Sequence, residues 1–148
     1  MIYEINHDWQ SKVLLSTDKY KLDITTIHNF LKTSYWAKDV PIAVVEKSIS
    51  NSLCFGVYEL DKQIGFARVI SDYATFAYFS DVFILEAYRG QGLGTWLIKS
   101  ILEYSELQNL RTWLLLTADA HELYHQFGFK NLPAPERMMV ISSSSAYK

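Results

Sequence analysis

The sequence predicts an α/β chain, more narrowly a mixed sheet with helices packed on it, in a single domain over residues 1–148. Three observations predict this. Strand-like runs follow one another between Leu53 and Leu85 with only short polar connections, which makes antiparallel neighbours. The clearest helical stripe of the chain then stands between two apolar strand-like runs. A length of 148 residues, 49% hydrophobic and 20% charged, suits one packed core.

The elements follow in order. Ile2 to Asn6 alternate apolar and polar, as a short strand does. Asp23 is a helix cap, and Ile24, Ile27, Phe30 and Leu31 recur behind it at helical spacing. Tyr35, Trp36 and Ala37 fall in a loop. A second helix fits Pro41 to about Ser50, with Pro41 in its first turn and Asp39 as its cap. Leu53–Glu59 and Gln63–Ile70 are strands joined by a turn at Asp61-Lys62. Phe76–Leu85 is apolar almost throughout, so it is expected to be central and covered on both faces. Leu93, Trp96, Leu97, Ile101 and Tyr104 form the helical stripe. Thr112–Thr117 is another buried strand, Asp119–Phe127 a short helix ended by Gly128, and Met138–Ile141 a last strand. Ser142–Ser145 reads as a frayed tail. The expected order is β, α, α, β, β, β, α, β, α, β.

Bulk properties exclude several classes. The net charge is −2 and no basic run stands out, so no nucleic-acid partner is expected. The lone Cys54 rules out an internal disulfide framework and fits a reducing compartment. Lying in Leu53-Cys54-Phe55, it reads as a core filler. Met1 to Ile5 lacks the basic start and apolar stretch of a secretion signal, and no run approaches the ~20 apolar residues that cross a bilayer. A cytoplasmic protein with no membrane partner and no metal is expected.

The chemistry concentrates in Arg89-Gly90-Gln91-Gly92-Leu93-Gly94, between a strand and a strong helix. Without Cβ atoms, Gly90, Gly92 and Gly94 let the backbone turn tightly and a ligand come close. The first N–H groups of the helix, through Leu93 and Thr95, have no partner within it and point outward with the positive end of the macrodipole. A pyrophosphate satisfies both needs, and Arg89 can add a charge-assisted contact. The loop lacks the Gly-Lys-Ser/Thr ending of a P-loop. It reads GxGxG, not the GxGxxG of a dinucleotide fold. It satisfies every position of the Arg/Gln-x-x-Gly-x-Gly/Ala loop of acyl-CoA-dependent acetyltransferases.

On these residues the chain resembles the GNAT superfamily of N-acetyltransferases, most strongly over Val82–Gly94. Ala120-His121-Glu122-Leu123-Tyr124-His125-Gln126-Phe127-Gly128-Phe129 is similar to that family's Ala-x-x-Leu-Tyr-x-x-x-Gly-Phe signature. The two motifs are separated by one helix and one strand, as in that family. The resemblance implies a mostly antiparallel sheet splayed between two central strands and flanked by about four helices. It implies acetyl-CoA as cosubstrate and a small-molecule or peptide amine as acceptor, and it admits a homodimer.

The resemblance also distributes roles. The pantetheine arm would lie in the splay, on backbone groups of Phe83 and Ile84, with the pyrophosphate on Arg89 to Thr95. A backbone N–H there would polarise the thioester carbonyl. Tyr124 would be the general acid for the leaving thiolate; the competing reading is that it only packs or hydrogen-bonds the CoA sulfur as a structural group. Asp81 would be the general base, or else a structural hydrogen-bonding group; Glu86, His121 and His125 are weaker candidates. Thr117 stands where the family often has Asn, which leaves its side-chain contact open. Tyr35 and Trp36 would wall the acceptor, or else seal the core edge. Glu136 and Arg137 could line the same groove or be loop charges. Two rival functions are a non-catalytic acyl-CoA-binding module and a nucleotide-binding protein of another fold.

Overall fold

A computed structural model describes residues 1–143 and 147. It forms one six-stranded sheet in sequence order, with β1 Glu4–Asn6, β2 Val13–Ser16, β3 Leu53–Glu59, β4 Lys62–Ser71, β5 Phe76–Ile84 and β6 Thr112–Leu115. All pairs are antiparallel except β5 and β6, which run parallel. The mixed sheet and its four helices match the sequence expectation: α1 Ile24–Leu31, α2 Ile42–Ser50, α3 Leu93–Leu102 and α4 His121–His125. Among the described residues no helix is long and apolar enough to cross a membrane.

Alternation along the strands feeds two apolar layers. Phe55, Val57, Ala67, Val69, Ala77 and Phe79 pack with Leu93, Leu97, Ile98 and Ile101 of α3 and with Tyr124 of α4. On the other face Cys54, Phe66 and Phe83 meet Ile27 and Leu31 of α1 and Val45 and Ile49 of α2. Each fully buried Leu, Ile or Phe in these layers contributes about 1.5–3 kcal/mol. Cys54 is a core residue, as expected, and desolvation pushes its thiol up to about 11. Asp23 caps α1 by accepting from the Thr26 amide at 3.1 Å.

Several expectations are corrected. Met138–Ile141 forms no strand, and Met139, Val140 and Ile141 are exposed. Prolines at 133 and 135 and the 3-10 turn Pro135–Arg137 interrupt the chain just before it. The strand Val13–Ser16 was not anticipated; it pairs β1 to β3. Asp39 does not cap α2. It sits at φ 63°, and Pro41 itself occupies the N-cap with no side-chain hydrogen bond. β5 is only half covered from Ser80 to Val82, and β6 is half-buried. β6 is also the edge strand, not a central one. Tyr104 packs in the core from beyond the end of α3. Of the tail, Ser142 and Ser143 lie in no helix or strand, while Ser144 and Ser145 lie outside the described residues.

Candidate active site

The parallel pair β5–β6 holds register only from Phe76↔Thr112 to Phe79↔Leu115. Beyond it the strands part. The cause is local: β4 pairs Arg68↔Ser80 and then Phe66↔Phe83, so Asp81 and Val82 stand opposite the single Ala67. This is a β-bulge, with Asp81 at φ 54°, a left-handed conformation that Asp tolerates better than most residues. Among the described residues the outer edge of Ser80–Ile84 is left without a sheet partner, so the backbones of Phe83 and Ile84 border the cleft between β5 and β6. Their side chains leave on opposite faces, Phe83 toward α1 and Ile84 toward α3.

The glycine loop closes one end of this cleft. Gly90 and Gly92 have φ 81° and 79°, which only glycine adopts freely. A Cβ at either would meet no atom within 4 Å. Gly92 is the N-cap of α3 and offers no side chain, so the amides that open the helix, from Leu93 through Gly94 and Thr95, have no capping side chain. Gly94 differs: its Cβ would lie 3.9 Å from Ile84 Cγ1, against the sheet. Gln91 is tethered through its side chain, which accepts from Gln10 Nε2 at 3.0 Å. Arg89 turns back, its Nε donating to the Ile84 carbonyl at 2.9 Å and its guanidinium 6.0 Å from the Phe30 ring. The Ile84 carbonyl is thus already engaged.

Across the cleft, Tyr124 is 8% exposed and packs against Phe79 and Phe129, with ring centroids 6.3 and 5.7 Å away. Desolvation, with a smaller contribution from Tyr35, pushes its hydroxyl up to about 12. The phenol therefore keeps its proton at every physiological pH. Thr117 accepts from the Ala120 amide at 3.0 Å, ordering the turn that enters α4. His121, His125, Glu86, Glu136 and Arg137 are exposed. A cavity of about 700 Å³ borders Tyr124 and Thr117, on the flank of β6 toward Phe129 and Leu132.

Asp81, Trp36 and Tyr35 come together at the cleft mouth. Trp36 Nε1 donates to Asp81 Oδ1 at 2.9 Å, and the Ala118 amide donates to the Tyr35 hydroxyl at 3.0 Å. The sequence reading missed Arg68. Its Nε donates to Asp81 Oδ2 at 2.9 Å, and its two terminal nitrogens reach Ser52 and Ser80 hydroxyls at 3.0 Å each. The only available signal was an Arg in the otherwise apolar run Ile64–Ile70, and such a charge needs a partner.

Residues 50–131 match the family model described as an acetyltransferase (GNAT) domain. This chain belongs to the GNAT acetyltransferase family. A Gibberella zeae protein assigned as an acetyltransferase is 33% identical over 140 residues, covering 80% of this chain and 77% of that protein. A crystal structure from Xanthomonas campestris pv. campestris, assigned as a GNAT-family acetyltransferase, is 45% identical with a TM-score of 0.89, covering 91% of this chain and 96% of that one. A Clostridium acetobutylicum protein crystallised with acetyl-CoA shares the fold at 11% identity and a TM-score of 0.59, with 96% of each chain covered.

Proposed function

We propose that this GNAT protein transfers the acetyl group of acetyl-CoA to a primary amine of a small molecule or peptide, as a cytoplasmic enzyme. One combination carries the reading: β5 and β6 stop pairing after Phe79 and Leu115, a glycine-lined helix start follows β5, and a buried tyrosine follows β6. The helix start suits a pyrophosphate and the open strand edge suits an amide-bearing arm, so acetyl-CoA fits the chemistry from end to end. The amides from Gly90 to Thr95 would hold the pyrophosphate; the Arg89 guanidinium, turned back onto Ile84 and Phe30, would add its charge only by leaving those contacts. The strand edge at Phe83 and Ile84, whose Ile84 carbonyl Arg89 already engages, would take the pantetheine through its remaining groups and offer an N–H to the thioester carbonyl. Thr117 would act through the turn it orders.

In this reading the amine nitrogen forms a bond to the acetyl carbon, the C–S bond breaks, and the amine's proton ends on the thiol. Burial pushes the Tyr124 hydroxyl up to about 12, above a thiol near 8.5, which favours donating a hydrogen bond over handing the proton to the sulfur. Tyr124 therefore serves as a hydrogen-bond donor to the departing sulfur, and its proton moves only as the ammonium formed on attack replaces it. Asp81 has both oxygens engaged, one by a guanidinium, which suits holding more than taking a proton. Tyr35 and Trp36 would wall the acceptor.

The test is acetyl-CoA-dependent thiol release across a panel of amines, with the N-acetyl product identified by mass. Amine-dependent release is expected. CoA binding without release above hydrolysis would leave a binding module instead.

A further inference from the structure

Adjacent residues of the α1–α2 loop are tied to opposite lips of the cleft. Trp36 is bonded to Asp81, just past Phe79, the last β5 residue paired with β6, and Tyr35 to Ala118, just past the end of β6. The two rings meet edge to face at 5.1 Å, and Trp36 rests on Phe30, which stacks on Phe83 at 4.0 Å. The loop is thus a strap across the mouth. Its anchor on the β5 side is itself anchored. Asp81 sits in a left-handed bulge and is held by Arg68, both side chains nearly buried at 10% and 14% exposure. Arg68 uses its planar fork on three different groups, a geometry that lysine cannot reproduce. We propose that Arg68 is a positioning residue: through Asp81 and Trp36 it fixes the strap, so that the acceptor amine meets a preset aromatic wall. This rests on the acetyl-transfer reading for its kinetic consequence only.

Two readouts test it, on Arg68→Met, Arg68→Lys and, in case those fold poorly, Trp36→Phe, which keeps an aromatic ring in the strap while losing the indole N–H and part of the ring surface. The first is trypsin cleavage after Lys38, an exposed residue within the strap. Loss of one hydrogen bond to a charged group should speed this cut about tenfold. The second is steady-state acetylation of benzylamine at saturating acetyl-CoA. Its KM should rise roughly tenfold while CoA affinity and the melting temperature of Trp36→Phe stay near wild type. Arg68→Lys should behave like Arg68→Met, and pairing either with Trp36→Phe should add little. Unchanged cleavage after Lys38 overturns the proposal, and so does a loss of CoA affinity in place of the KM effect. Wild-type protein that does not acetylate benzylamine counts against the acetyl-transfer reading for that amine, while the trypsin result still decides the role of Arg68.

Discussion

Replacing Gly92 with valine separates two consequences of one backbone conformation. At φ 79° a β-branched residue sits where L side chains are crowded, which costs about 1–2 kcal/mol of stability. For a chain of this size that lowers the melting temperature by about 2–8 °C. The same Cβ points into space that holds no protein atom within 4 Å, directly before the first amides of α3. A pyrophosphate kept from two charge-assisted contacts loses roughly 3 kcal/mol or more, over a hundredfold in Kd. Isothermal titration of CoA into the folded variant, below its melting temperature, measures the second effect free of the first. Gly94→Ala is the control. Its Cβ would make an ordinary 3.9 Å contact with Ile84 inside a helix, so it should raise stability by up to about 1 kcal/mol and bind CoA normally. Normal CoA affinity in Gly92→Val would refute the cradle, and so would an equal loss in both variants.

Tyr124→Phe preserves the ring packing on Phe79 and Phe129 and should lower kcat about a hundredfold with CoA affinity unchanged; stopped-assay kinetics at equal turnout of folded protein check it. Asp81→Asn should keep most of kcat if Asp81 positions Trp36, whereas a general base predicts a loss of about a hundredfold or more. Alkaline stability follows from the raised tyrosines. The unfolded Tyr124 loses its proton near 10 and the folded one near 12, so the unfolded state binds fewer protons in that window and stability falls as pH rises through it. Tyr58 and Tyr104 are shifted the same way by burial. Urea midpoints should be level from pH 7 to about 9 and decline above about 10, less steeply in Tyr124→Phe. Asp23→Ala removes the α1 cap and should cost about 1 kcal/mol, read as a lower urea midpoint.

What was legible in the sequence was local. The glycine loop states its own conformation, because three glycines between a strand and a helical stripe have few other uses. Asp23 and the strands Leu53–Glu59 and Phe76–Ile84 rest on neighbours in the chain, and they lie where expected. Val13–Ser16 escaped notice because a short apolar run has no period to read, and its pairing comes from β1 and β3. Met138–Ile141 had the pattern of a strand without a partner to make it one. The bulge at Asp81 and the Arg68–Asp81–Trp36 chain join positions far apart in sequence, so no spacing rule reveals them. Asp81 drew attention as a charge in an apolar run, and only the fold shows which groups engage it.

In the proposed function a CoA cradle and a buried tyrosine would make this GNAT chain an acetyl-CoA-dependent acetyltransferase. The most direct measurement is thiol release from acetyl-CoA over an amine panel, with the products identified by mass, for wild type and Tyr124→Phe side by side. Amine-dependent release matched one-to-one by N-acetylated product is expected, with a steep drop in the variant. CoA binding with no acetylated product from any amine, or equal turnover by the two proteins, would contradict it.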